Sequence, residues 1–123
     1  MSRPWAAAAL LVLGGCSLFD PCRDLRCGAC PPPFELRVTD RSSGAAVPGV
    51  QVTGAEVSCG EAGGYTSCSP IGGGGAGTFH LTVSAPGFVS TDVTVNVGEV
   101  DTTGQCCACG YQPQQVVIEL VGL

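Results

Sequence analysis

The chain has 123 residues, room for one domain, and carries five arginines, no lysine, ten acidic residues and one histidine. A net charge of −5 argues against nucleic acid, whose phosphates demand a basic surface, and against a polybasic membrane patch. Nineteen glycines and nine prolines approach low complexity, but the 45% apolar residues fall in alternating runs, so a small packed core is expected.

The N-terminus reads as an export address. Arg3 supplies a positive start, and Trp5 to Leu13 is an apolar run of nine residues. Such a run fits a secretory signal, roughly 7–15 residues, and falls short of the roughly 20 that a spanning helix needs. Leu13-Gly14-Gly15-Cys16 then resembles the bacterial lipobox: an aliphatic residue, two small residues and a cysteine. The resemblance implies cleavage before Cys16, a diacylglycerol on its thiol and acylation of the new amine. Each buried CH₂ of such chains is worth roughly 0.8 kcal/mol, so two or three chains anchor stably. Ser17 in place of aspartate implies sorting to an outer membrane, in a cell that has one. The alternative is an ordinary secreted protein cut near Gly15. Removing Arg3 with the signal leaves four basic against ten acidic side chains, a net charge of −6.

Cysteine parity points the same way. The nine cysteines are 16, 22, 27, 30, 59, 68, 106, 107 and 109. With Cys16 lipidated, the remaining Cys22, Cys27, Cys30, Cys59, Cys68, Cys106, Cys107 and Cys109 suffice for four disulfides, each typically worth about 2–4 kcal/mol. Eight cysteines leave 105 connectivities open. The preferred reading closes Cys59 onto Cys68 and bridges the cluster 22/27/30 to 106/107/109, with one further bond either local or between clusters. Adjacent Cys106 and Cys107 are not expected to pair with each other. Three competing readings carry less weight. Cys22-x4-Cys27-x2-Cys30 matches the start of an iron–sulfur spacing, but no Arg-Arg pair marks export of a folded holoprotein. Cys27-Gly28-Ala29-Cys30 is a bare CxxC whose following Pro31, Pro32 and Pro33 remove the helical N–H donors that activate a thiolate. Zinc on Cys27, Cys30, Cys107 and Cys109 loses to disulfides in an oxidising compartment. No cofactor or metal is expected.

Residues 16–33 read as the lipidated cysteine and a proline-rich tether. From residue 34 the period is two. Phe34, Leu36 and Val38 face one way, and Glu35, Arg37 and Thr39 the other. A turn at 40–44 and Val47-Pro48-Gly49 lead into Val50 and Val52. Gly60 to Gly77, with eight glycines, is read as a long loop holding at most a short strand around Tyr65–Cys68. Phe79, Leu81 and Val83 mark the next strand; Val89, Val93, Val95 and Val97 another. A second loop runs from Gly98 to Tyr111. Val116, Ile118 and Leu120 form the last strand. About six short strands with turns at this spacing predict an all-β, disulfide-stapled antiparallel sandwich over 34–123.

Two stretches resemble the carboxypeptidase regulatory-like domain, a transthyretin-like (prealbumin-like) β-sandwich. They are Asp40-x3-Gly44-x2-Val47-Pro48-Gly49-Val50-x-Val52 and Gly77-Thr78-Phe79-x-Leu81-x-Val83-x-Ala85-x-Gly87-Phe88. The resemblance covers roughly residues 34–97. The family's threonine- and aspartate-rich middle turn has no clear counterpart, and Glu61-Ala62-Gly63-Gly64-Tyr65 stands in its place. Such domains are usually non-catalytic accessories or parts of surface proteins, which implies an envelope module with a structural or protein-interaction role.

No catalytic constellation is visible. His80 alternates outward between Phe79 and Leu81, with no patterned nucleophile or acid beside it. Gly72 to Gly75 lacks the Gly-Lys-Ser/Thr of a phosphate loop. Tyr65 and Tyr111 both fall in loops and could stack on a sugar or peptide, giving the alternative of a glycan- or peptide-binding surface domain. The expected partners are the membrane, through the lipid, and an envelope protein or glycan.

Overall fold

The computed structural model describes residues 22, 25–72 and 74–123; the signal segment and Cys16 lie outside them. They divide into a larger unit, Cys30–Asp101 with Cys109–Leu123, and a smaller one that groups Thr102–Ala108 with the described residues up to Ala29.

The larger unit is all-β. Its strands are β1 (Phe34–Asp40), β2 (Gln51–Thr53), β3 (Val57–Glu61), β4 (Thr66–Pro70), β5 (Gly77–Ser84), β6 (Thr91–Val97) and β7 (Gln114–Leu120). One sheet has the order β3-β4-β1-β7 and the other β2-β5-β6. All ladders are antiparallel except β1 with β7, which run parallel with Phe34 opposite Gln114 and Asp40 opposite Leu120. The four-stranded sheet is therefore mixed. Its first and last strands are joined by no hairpin, so nothing obliges them to oppose each other.

Alternation builds the core. Phe34, Leu36 and Val38 are buried on β1, as are Leu81 and Val83 on β5, Val95 and Val97 on β6, and Ile118 and Leu120 on β7. Phe34 meets Phe79 at 4.9 Å between ring centroids, tilted by 57°, a favourable offset for two aromatic quadrupoles. Val47 is buried between β1 and β2, and the Thr66 hydroxyl donates to its carbonyl at 2.7 Å. Val89, expected within a strand, is exposed ahead of β6, and its N–H donates to the Val121 carbonyl at 2.8 Å.

The glycine-rich middle is not one long loop. β3 and β4 form a hairpin with Cys59 opposite Cys68. Its turn is Gly63-Gly64, at φ +65° and +103°, and the Ala62 N–H donates to the Tyr65 carbonyl at 2.9 Å. Two central residues at positive φ match the twist of a two-residue hairpin. The strand signal is weak because Ser58, Gly60, Ser67, Ser69 and Pro70 have poor β-propensity. Pairing and the Cys59–Cys68 bond hold what propensity does not.

Each unit holds two bridges. Cys59–Cys68 and Cys30–Cys109 lie in the larger, and Cys22–Cys106 and Cys27–Cys107 in the smaller. Cys107 takes a left-handed φ of 60°, a sharp turn through which neighbouring cysteines reach separate partners.

Two substitutions test this packing by urea denaturation. Leu36→Ala empties a site with no solvent exposure and is expected to cost about 2–5 kcal/mol. Gly44 and Gly54 both have positive φ, but only at Gly54 would a Cβ collide with the His80 carbonyl oxygen. Gly44→Ala is expected to cost about 1–2 kcal/mol from backbone strain alone, and Gly54→Ala distinctly more; equal costs would contradict this packing.

Candidate functional site

Alternation on β1 turns Glu35 and Arg37 to the outward face of the four-stranded sheet. Arg37 Nε donates to Glu35 Oε1 at 2.8 Å. The Ser67 hydroxyl donates to the other carboxylate oxygen at 3.0 Å, and Gln115 Nε2 donates to Oε1 at 3.1 Å. The Arg37 guanidinium lies 4.6 Å from the centroid of the Tyr65 ring, where the electron-rich ring face attracts a cation. Hydrogen bonds from Arg37, then Gln115, hold the Glu35 carboxyl below its ordinary range. Asp40 is lowered in the same way by the Ser42 N–H and then its hydroxyl. The chain's own Arg37 thus occupies one face of Tyr65, and the carboxylate beside it already accepts three donors.

Tyr111 is a packing residue. It is 9% exposed, and its hydroxyl donates to the Pro31 carbonyl. With Pro31, Pro32, Pro33 and Cys109 it lines a cleft of about 330 Å³. The two tyrosines stand apart in the fold. Tyr65 adjoins Thr66, which lies beside Val38, whereas Tyr111 precedes Gln114, opposite Phe34. At roughly 3.3 Å per residue they stand at opposite ends of β1. Sequence spacing could not show this, because it depends on which strands flank β1.

His80 is exposed on β5, with Nδ1 3.3 Å from the Thr94 hydroxyl. Thr82 donates to Asp92 at 2.8 Å and Thr78 to Asn96 at 3.0 Å, so this outward face is a ladder of cross-strand polar pairs. Among the described residues no three His, Cys, Asp or Glu side chains are placed to hold a metal ion. Cys27, Cys30, Cys107 and Cys109, considered above as zinc ligands, are all in disulfides. Cys16 lies outside the described residues.

Sequence reasoning missed a cleft of about 600 Å³ between the segment from Ala45 to Val50 and the β3–β4 hairpin. Its apolar wall is Val47, Pro48 and Val50; Cys59, Gly60 and Thr66 face them, and Glu61 is its one carboxylate. The volume falls within the roughly 300–1,000 Å³ of ligand clefts. The missing signal was β3 itself, which Ser58 and Gly60 disguise as loop.

Compared with protein-family models, curated proteins and solved structures, the chain has no significant match.

Three measurements check the polar cluster and the Tyr111 contact. In an NMR titration the Glu35 carboxyl carbon should reach its midpoint below about 4.3 and return towards that value in Arg37→Met. Because its folded pKa is lowered, the stability that Glu35 contributes is present above its unfolded pKa and is lost as the pH falls through the folded value. Glu35→Gln should therefore flatten the acid-side loss of stability. Tyr111→Phe should cost about 0.5–1.5 kcal/mol, since it removes one hydrogen bond while keeping the ring.

Proposed function

We propose that this chain is an exported lipoprotein, anchored through Cys16 to the bacterial cell envelope, at the outer membrane where the cell has one. In this reading it displays a non-catalytic β-sandwich with a structural or protein-interaction role. One observation carries the reading. The eight other cysteines pair among themselves in four bridges, which leaves Cys16 no cysteine of this chain to pair with. A ninth cysteine without a pairing partner, directly after an apolar run and two glycines, has the setting in which a lipobox cysteine receives its lipid. Disulfides also favour an oxidising compartment, as export predicts.

The family resemblance supports the modular part of the reading. Its two stretches fall on β1–β2 and on β5 with the turn that follows, and β2 pairs with β5 through Val52 opposite Val83. They meet again where a Cβ at Gly49 would lie 3.1 Å from Pro86 Cδ. Two motifs separated in sequence therefore adjoin in the fold, as segments of one domain should. A carboxypeptidase regulatory-like sandwich is the fold assignment we infer from this.

The intact mass of protein extracted from its native membrane tests the anchor. The expected species begins at Cys16 and is heavier than that polypeptide by two or three acyl chains. A chain of unmodified mass, found in the soluble fraction, would overturn the anchor.

A further inference from the structure

Four strands lie at sheet edges: β3 and β7 in one sheet, β2 and β6 in the other. β2 has only three residues. The chain beside the ends of β6 and β7 is tied by bridges between Phe88 and Gly122 and between Glu99 and Tyr111. β3 is different, because its open edge borders the cleft.

The hairpin register fixes which of its backbone groups face outward. The Ala62 N–H donates to Tyr65 and the Ile71 N–H donates to Glu56. With Cys59 opposite Cys68, the alternation of an antiparallel ladder makes 56, 58, 60 and 62 the residues bonded to β4. The N–H and C=O groups of Val57, Cys59 and Glu61 then point away from β4, and Cys59 and Glu61 line the cleft. An edge of this kind is a template for another strand. Cys59–Cys68 fastens it to the core, so little ordering remains to be done on binding. Glu61 brings a carboxylate to the cleft and forms no ion pair or side-chain hydrogen bond among the described residues. Val47, Pro48 and Val50 opposite it form an apolar wall.

We propose that the cleft beside β3 binds an extended segment of a partner protein as an added strand, with a lysine or arginine of that segment reaching Glu61. Backbone pairing to Cys59 and Glu61 supplies the affinity common to strand addition, and the side-chain pocket supplies the choice of residue. A cationic side chain suits the cleft twice: its methylene stem covers the apolar wall while its head meets the carboxylate. The charge of the chain, −5 with no lysine, favours a basic partner by steering. This assignment rests on the protein-interaction reading above but not on the lipid anchor, so an unmodified Cys16 would leave it intact.

The test uses the full chain in the form the producing cell makes, labelled with ¹⁵N and titrated with acetyl-Thr-Val-Lys-Val-Thr-amide. The amide resonances of Cys59 and Glu61 should move, and those of β6 and β7 should not. The same peptide N-methylated at its three central amides should lose binding, because it cannot pair with a strand edge. Replacing its lysine by glutamate, or Glu61 by glutamine in the protein, should weaken binding about tenfold. The exposed Glu61→Gln site should leave the thermal midpoint unchanged. No shift up to 5 mM peptide, roughly the weakest affinity of interest, would overturn the proposal. So would binding indifferent to N-methylation, or shifts centred elsewhere. If dilution of the protein alone moves Cys59 and Glu61, the occupant is a second copy of this chain, and the peptide assignment falls.

Discussion

The Cys59–Cys68 bridge lies at the junction on which the fold and the cleft both depend. Cys68 has no solvent exposure and stands opposite Leu36 on the central strand. Cys59 is its non-hydrogen-bonded partner across the hairpin, with Cα atoms 4.1 Å apart. Such pairs bring side chains closest in an antiparallel ladder. The bond therefore joins an edge strand of serine and glycine to the buried side chains of β1. Without it, β3 would be held only by its ladder to β4 and a few partly buried residues, Val57 among them. A domain with a core this small has little stability to spare, and covalent closure of the hairpin adds to it.

The other bridges act where the sequence has no strand signal at all. Cys30–Cys109 ties the start of β1 to the approach of β7, and Tyr111 reinforces that end by donating to Pro31. Pro33 is fully buried directly before β1, and its carbonyl accepts the Gln114 N–H at 2.9 Å. The prolines read as a spacer are thus partly built into the β unit. Pro70 closes the other side of the same sheet. It has no N–H to give to β1, and the β1–β4 ladder ends at Leu36 opposite Cys68.

Alternation made most of the sandwich legible. Phe34, Leu36, Val38, Leu81, Val83, Val95 and Ile118 announce their strands by period two, and all are buried. The local pair Cys59 and Cys68 was legible from its spacing, and from that pair the hairpin could have been inferred. Four features were not legible. The parallel pairing of β1 with β7 depends on the path of the whole chain, and so does the separation of Tyr65 from Tyr111. β3 escaped because strand formation at Ser58 and Gly60 is imposed by neighbours, and the cleft escaped with it. In each case the deciding interaction is long-range, while the signal read was local.

The account therefore joins a covalent framework to a cysteine outside it. Its most direct test is a disulfide map of the non-reduced protein, obtained by partial reduction and trapping of the released thiols. The predicted result is Cys59–Cys68 within one segment, Cys30–Cys109, Cys27–Cys107 and Cys22–Cys106 between the outer clusters, and Cys16 in no linkage. A disulfide that includes Cys16, or a free thiol among the other eight before reduction, would contradict it.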